Sequence, residues 1–355
     1  MHYRLGVLTG DGIGPEISDA TVRILEAVQA RDARLRFEWV PLPIGWEAIR
    51  ATGSATPEST VAALEKCDAW IMGPHDSASY PAAEREKRNP SGELRHRFDL
   101  YANIRPARTY PGLPALSPKM DLVVVRENTE GLYPDRNMAW GVGEVMATPD
   151  VALMLGKITR HASERIARTA FTLAQRRRRK VAIVHKVNVI RKAYGLFLES
   201  CRDVAKEFPE VVVEDYHIDA MTAHLVRRGA DFDVILTTNM FGDILSDLTG
   251  ELTGSLGMAP SLNAGTGRAM AQAAHGSAPD IAGQGIGNPV GLILSAAMLL
   301  SWLSGERKDP AAQEASQAIE RAVAATLAEG PRTRDLGGKA TTKEFTEGIL
   351  RRLAA

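Results

Sequence analysis

The chain is poor in the features that mark several large protein classes. It has two cysteines in 355 residues, Cys67 and Cys201. That is too few for a disulfide framework, and both are expected as reduced, buried small hydrophobes in a cytoplasmic protein. It has no net charge, 43 basic residues standing against 43 acidic ones, so it lacks the basic excess of a nucleic-acid binder. It has no basic segment leading into an apolar run ahead of its first strand, so no secretory signal is expected. Its longest apolar stretch, residues 290–303, carries serines and is too short to span a bilayer. A buried core helix is expected there, and no membrane partner.

What is present is an average soluble composition, 45% hydrophobic and 24% charged, with strand-like and helix-like stretches in alternation. Short apolar runs at 5–8, 36–42, 69–72, 122–125, 181–184, 211–213 and 234–236 read as strands, with helical spacing between them. The pattern predicts an α/β fold with much parallel sheet. Asp309-Pro310 offers a cap and a first-turn proline, predicting a helix to about residue 327. Thr341-x-x-Glu344 is a capping box ahead of the last helix. The basic run 176–180 is expected as a solvated loop.

Five groups of residues carry chemistry. Gly10-Asp11-Gly12-Ile13-Gly14-Pro15-Glu16 follows a strand and lets the backbone turn tightly, either for structure alone or for close approach to a ligand. It is not the G-x-G-x-x-G dinucleotide fingerprint. Asp243 and Asp247, four apart on a predicted helix, share a face. They are either oxygen ligands for Mg2+ or Mn2+ or part of a solvated face, and Asp219, at the head of another helix, is a third carboxylate that could converge with them. Arg95, Arg105 and Arg126 are either guanidinium forks for carboxylates or surface charges. Arg126 stands at the carboxyl end of a buried strand, where α/β sheets bind ligands. Tyr133 and Lys186 form a plausible acid and base beside a metal. The loop His275-Gly276-Ser277-Ala278-Pro279-Asp280, ending at Asn288-Pro289, is built of small residues. Asp280 there could accept hydrogen bonds from a ribose and repel a 2′-phosphate, which favours NAD over NADP.

Together these segments resemble the β-hydroxyacid oxidative decarboxylases: isocitrate, isopropylmalate, homoisocitrate and tartrate/D-malate dehydrogenases. The likeness runs over nearly the whole chain. Asp99-Leu100-Tyr101-Ala102-Asn103 and Glu127-Asn128-Thr129-Glu130-Gly131-Leu132-Tyr133 are worded most like the homoisocitrate branch. The resemblance implies an isopropylmalate dehydrogenase-like two-domain α/β fold, a large mixed sheet flanked by helices and not a classical Rossmann fold. Residues 1–100 and 254–355 would form the larger, cofactor-binding domain. Residues 101–253 would form the smaller one, with the dimer contacts and metal carboxylates.

It also implies roles. Arg95, Arg105 and Arg126 would hold substrate carboxylates. Asp219, Asp243 and Asp247 would bind Mg2+ or Mn2+. Lys186, backed by Asp219, would take the hydroxyl proton, and Tyr133 would return a proton after CO2 leaves. Asn188 would meet the nicotinamide end of NAD, and His275, Gly276, Ser277, Ala278, Pro279, Asp280 and Asn288 the adenosine end. Lys186 and Asp219 would serve the other subunit of a homodimer. The expected reaction is NAD-dependent oxidative decarboxylation of a 3-substituted malate of isocitrate or homoisocitrate type, a small hydroxy di- or tricarboxylic acid. 3-Isopropylmalate, another 3-alkylmalate, tartrate or D-malate is the alternative.

Two places depart from the family pattern. Gln272-Ala273-Ala274 stands where relatives have Glu-Pro-Val. In Asn89-Pro90-Ser91-Gly92-Glu93-Leu94-Arg95, neither the leucines of isopropylmalate enzymes nor the arginine of the homoisocitrate branch is present. Ser91 would either hydrogen-bond a polar substituent or cap the following helix, and Lys87 or Arg97 would stand in for the missing cation.

Overall fold

His2–Leu8 is a strand whose Tyr3, Leu5 and Leu8 are buried while His2 faces solvent. It is flanked on both sides by parallel neighbours, Arg36–Pro41 and Ala69–Met72. Ala269–Ala271 extends the sheet beyond Ala69–Met72, again in parallel, and pairs antiparallel with Leu262–Ala264. The computed structural model, which describes residues 1–133, 135, 137–138 and 143–354, places these strands in the first of two compact units. That unit gathers Met1–Phe98, Tyr110–Ala115 and Gly254–Ala355; the second gathers Asp99–Thr109 and Leu116–Thr253. Tyr110–Ala115 thus groups with the first unit although it lies inside the segment read as the second domain, because Tyr110 and Leu113 pack on the first unit's core.

Helices Gly14–Arg31, Val290–Arg307, Pro310–Glu329 and Thr342–Ala354 supply most of that core. The apolar stretch at 290–303 is buried along most of its length, as its composition required. The helix after Asp309 begins where expected: the Asp309 carboxylate accepts from Ala311 N at 3.1 Å and from the Tyr3 hydroxyl at 2.8 Å. The capping box forms as well, with Thr341 N donating to Glu344 at 2.9 Å and Glu344 N to Thr341 Oγ1 at 3.1 Å.

In the second unit Asp121–Glu127 lies between Ala102–Arg108, antiparallel, and Val234–Thr237, parallel. Lys180–His185 and Val212–His217 continue in parallel. Alternate residues of these strands point to opposite faces. Val123, Val125, Ile183 and Leu236 meet helices Arg160–Gln175 and Arg191–Ala205. Leu122, Val124, Ala182 and Ile235 meet Ile218–Arg228 and Asn239–Thr253. The strand read at 211–213 runs on to His217. Its polar half, Glu214 to His217, is tolerated because this strand has a partner on one side only. Glu144–Thr148 and Val151–Met154 form a separate two-stranded sheet.

The basic run at 176–180 is a largely exposed turn leading into a strand, as expected, but it is anchored at one point. Asp233 is fully buried, and Arg177 Nε and Arg178 N donate to its two oxygens, both at 2.8 Å. A buried carboxylate requires such compensation. Cys67 and Cys201 are buried free thiols, and among the described residues no helix is long and apolar enough to cross a membrane.

Candidate active site

In the second unit two arginines reach one carboxylate from adjacent strands. Arg126 stands directly across the antiparallel ladder from Asn103, and Arg105 follows two residues after Asn103. Facing and alternate residues share a side of the sheet, so the register alone places both guanidiniums together. Arg126 is fully buried. Its Nε and Nη2 donate to Asn239 Oδ1 at 2.9 and 2.7 Å, and its Nη1 donates to Asp243. Arg105 Nη1 donates to Ser246 Oγ at 2.6 Å and to Asp243 Oδ1 at 3.1 Å, and lies 3.7 Å from Asp247. The Tyr133 hydroxyl donates to the other Asp243 oxygen at 2.6 Å.

The helix Asn239–Thr253 makes this convergence possible. Asn239, Asp243, Ser246 and Asp247 lie within its first turns at spacings that keep them on one side. Gly242 lets the Arg126 stem cross the helix: a Cβ there would come within 2.6 Å of Arg126 Cβ. Asp243 and Asp247 are therefore neither a purely solvated face nor an isolated pair. They form the acidic edge of a cationic cluster.

Lys186 and Asp219 come together at the next sheet edge. His185 and His217 end their strands side by side, so the residues just beyond them are neighbours. Lys186 Nζ donates to Asp219 Oδ1 at 2.5 Å, and the ammonium holds the Asp219 carboxyl below its usual range. The Asp219 side chain is 68% exposed. Asp219 does not join Asp243 and Asp247: among the described residues no three acidic, histidine or cysteine side chains gather as one metal-ligand group. Asn188, in the turn after Lys186, is exposed.

Glu130 lies behind the cluster. It is buried, accepts from Thr159 N at 2.6 Å, and its own carbonyl accepts from Asn239 Nδ2 at 2.9 Å. Burial, aided by the neighbouring Glu127 charge, pushes the Glu130 carboxyl up from 4.5 to about 7. Folding therefore favours the protonated acid. Its stabilising contribution is complete below about pH 4.5 and is lost as pH rises through about 7. Glu130→Gln, which stays neutral, will gain Tm relative to the native chain across that window in thermal unfolding at a pH series. A difference constant with pH would refute this.

In the first unit the loop after Ala269–Ala271 carries the remaining expected residues. Its Ser277 carbonyl accepts from Ile13 N at 2.9 Å, and a Cβ on Gly12, whose φ is +60°, would come within 1.9 Å of that oxygen. Glu16 accepts from Gly285 N at 3.0 Å and Gly287 N at 2.7 Å. The glycine motif at 10–16 is thus a brace for this loop. Beside it lies a cavity of about 530 Å³, lined by Ile13, Leu256, His275, Ala278, Ile281 and Asp335 among others. His275 Nε2 is buried there without a hydrogen-bond partner. Asp335 accepts from Asn288 Nδ2 at 2.8 Å and Ser255 Oγ at 2.7 Å. Gly276, Pro279 and Asp280 are exposed. Asp335 is not among the residues that the sequence singles out.

The substrate loop corrects three expectations. Asn89, not Ser91, caps helix Pro90–Arg97, accepting from Gly92 N at 2.7 Å. Ser91 is buried inside the first turn, its Oγ against His75 Nε2. Lys87 and Arg97 do not replace a missing cation, because Lys87 pairs with Glu84 and Arg97 with Glu58. Gln272, the departure from Glu-Pro-Val, is buried and accepts from Arg95 Nη2 at 3.2 Å. His75 escaped the sequence reading, yet it lies shortly past the strand Ala69–Met72, at the strand end where ligands bind.

Mixed sheets flanked by helices, carrying clustered carboxylates, arginines and a tyrosine, define a class: dehydrogenases that decarboxylate hydroxy acids. The chain belongs to the isocitrate/isopropylmalate dehydrogenase family, whose model matches residues 4–349. An isocitrate/homoisocitrate dehydrogenase of Thermus thermophilus is 45% identical over 360 residues, covering 99% of each chain. A 3-isopropylmalate dehydrogenase of Archaeoglobus fulgidus is 44% identical over 347 residues, covering 98% of each. The crystal structure of isocitrate dehydrogenase from Methylococcus capsulatus superposes with a TM-score of 0.89 at 37% identity over the whole of both chains. Enzymes of this family oxidise and decarboxylate 3-substituted malates, generally with NAD(P) and Mg2+ or Mn2+.

Proposed function

We propose that this chain is an NAD-dependent, Mg2+- or Mn2+-dependent dehydrogenase that converts a 3-substituted malate of isocitrate or homoisocitrate type to a 2-keto acid and CO2. The observation that carries the reading is the meeting of Arg105, Arg126 and Tyr133 on Asp243, beside Asp247. Buried guanidiniums are suited to substrate carboxylates, and paired carboxylate oxygens are suited to a hard divalent cation.

The residues divide the work. Arg95, Arg105 and Arg126 would orient the malate carboxylates. Asp243 and Asp247 would hold the cation, joined by Asp219 of the partner subunit. Lys186, as the neutral amine, would accept the hydroxyl proton, and Asp219 would pair with the ammonium so formed. Tyr133 would deliver a proton to the carbon that loses CO2, its hydroxyl held in place by Asp243. When bound, the cation supplies Lewis acidity and NAD accepts the hydride.

The first unit would be the cofactor-binding domain. The cavity beside His275 is of a size and lining that suit an adenine ring, and His275 Nε2, left an acceptor because Nδ1 donates to the Gly276 carbonyl, would take a hydrogen bond from the adenine amino group. Gly276, Ser277, Ala278, Pro279 and Asn288 would shape its walls, and Asn188 would serve the nicotinamide end. Asp280 would accept from the ribose hydroxyls. NAD will therefore exceed NADP in kcat/KM by about a hundredfold, and Asp280→Ala will narrow that gap roughly tenfold. Equal use of both coenzymes by the native chain would remove Asp280 from this role.

A homodimer is supported by the small sheet of the second unit, whose Val145, Met146, Val151, Leu153 and Met154 are all exposed. Such exposed apolar side chains call for a partner, and among the described residues Asp219, beside Lys186, gathers with no metal-ligand group of its own chain. The reduced thiols fit a cytoplasmic setting.

A 3-alkylmalate substrate is the second reading. It is favoured by one observation: Lys87 and Arg97, the cations expected to serve a distal carboxylate, are paired with Glu84 and Glu58. Incubation with NAD, Mn2+ and isocitrate, homoisocitrate, 3-isopropylmalate, tartrate or D-malate separates the readings by NADH formation. Isocitrate or homoisocitrate is expected to lead. A lead for 3-isopropylmalate would establish the second reading, and no turnover on any acid would remove both.

A further inference from the structure

We propose that His75 is a positioning residue that makes the Ser91 hydroxyl a hydrogen-bond donor, so that the enzyme selects an oxygen-bearing substituent at C3 of its substrate. The inference rests on the reading of Ser91 as the residue facing that substituent. It begins from three hydrogen-bonding facts. His75 Nε2 lies against Ser91 Oγ. His75 Nδ1 is buried and has no partner. Besides the imidazole, the acceptor near the Ser91 proton among the described residues is Asn89 Oδ1, at 3.4 Å, and that oxygen already takes the cap bond from Gly92 N at 2.7 Å.

A neutral imidazole has one N–H, and its placement decides what Ser91 can do. With the proton on Nδ1, a buried donor would be left without an acceptor, and Ser91 would spend its own proton on Nε2. Ser91 would then offer a ligand only lone pairs. With the proton on Nε2, the ring donates to Ser91 Oγ and no buried donor is stranded. The Ser91 proton is left with the long, shared contact to Asn89. Stranding a buried N–H is the costlier choice, so the second arrangement prevails. Burial, with the Arg95 guanidinium nearby, pushes the His75 imidazole down to about 4, which keeps the ring neutral at ordinary pH.

A Ser91 hydroxyl held this way exchanges a poor acceptor for a good one when a carboxylate or hydroxyl oxygen arrives. An alkyl substituent offers no such exchange. A site arranged to donate a hydrogen bond discriminates strongly against an analogue that cannot accept it. This supplies polarity at the substituent without the cation that Lys87 and Arg97 fail to provide. Of the other cations of this stretch, Arg88 is paired with Glu93 at 3.3 Å and Arg95 donates to Gln272 at 3.2 Å.

The tautomer can be read on the native protein. Nitrogen-15 labelling of histidine, with His75 assigned by loss of its signals in His75→Gln, is expected to show a neutral ring protonated on Nε2. A ring protonated on Nδ1 would overturn the proposal. On the best acid of the substrate panel, His75→Leu is expected to raise KM about tenfold with kcat little changed. His75→Gln, whose side-chain amide can still donate, should recover most of that loss. In a Ser91→Ala background His75→Leu should have no added effect. An equal KM rise in that background, or no recovery by glutamine in a variant that melts like the native protein, would overturn it too. If no acid is turned over, the wider functional reading has failed while the tautomer still answers for His75. If an acid is turned over and His75→Leu leaves KM unchanged, the His75 proposal alone has failed.

Discussion

Asp243→Asn will lower kcat/KM by about a thousandfold and will also lower stability, whereas Asp247→Asn will weaken cation use with almost no change in stability. The difference follows from what each carboxylate touches. Asp243 accepts from Arg105, Arg126 and Tyr133. Arg126 is fully buried, and its other acceptor is the neutral amide oxygen of Asn239. Removing the charge that faces two buried guanidiniums should cost about 1–3 kcal/mol of stability. Loss of a cation ligand should cost several kcal/mol in the transition state, which is the thousandfold. Asp247 is exposed, and its one ion pair spans 3.7 Å, so its neutralisation should change stability by less than about 0.5 kcal/mol. The Mn2+ concentration for half-maximal rate should nevertheless rise at least about tenfold. Thermal unfolding and a Mn2+ titration of both variants check the contrast. Equal loss of stability in the two, or full activity in either, would show that the helix face does not work as described.

Mixing two dead variants will restore activity. Lys186→Met and Asp243→Asn should each be inactive as homodimers. If Lys186 serves the partner's carboxylates, each mixed dimer contains one site with both wild-type residues and one with both substitutions. Random exchange at equal concentrations makes half of the dimers mixed, so about a quarter of the native rate should return. If Lys186 acted with Asp243 of its own chain, every site in every dimer would lack one of them, and mixing would restore nothing. The single chain already leans one way. Lys186 and Asp219 hold each other at 2.5 Å, and no three-carboxylate group forms among the described residues.

Much of this was legible without coordinates, for identifiable reasons. Local rules were enough where the determining interactions are local. Asp309-Pro310 opened its helix, Thr341-x-x-Glu344 closed its box, and the run at 290–303 lay buried. The same logic should have been applied to Asn89-Pro90, which has the cap-and-proline form of Asp309-Pro310. Ser91 was weighed as the cap instead, and its contact with His75, sixteen residues back, was out of reach of spacing arguments. The carboxylates show the division well. Their four-residue spacing put Asp243 and Asp247 on one face, but spacing could not tell a ligand pair from a wet face. What sets Asp243 apart from a wet face is Arg105 and Arg126, which reach it across 138 and 117 residues of chain. Strand register brings them there, and register is a tertiary property. The anchoring of the turn at 177 and 178 is beyond local patterns for the same reason: the partner, Asp233, is distant in sequence and buried in the fold.

The central claim is oxidative decarboxylation, and simultaneous measurement of NADH and CO2 from one substrate tests it most directly. With isocitrate or homoisocitrate, NAD and Mn2+, the two products should appear in equal amounts, and both should cease when the cation is chelated. NADH without CO2, or formation of both at an undiminished rate after chelation, would contradict the account.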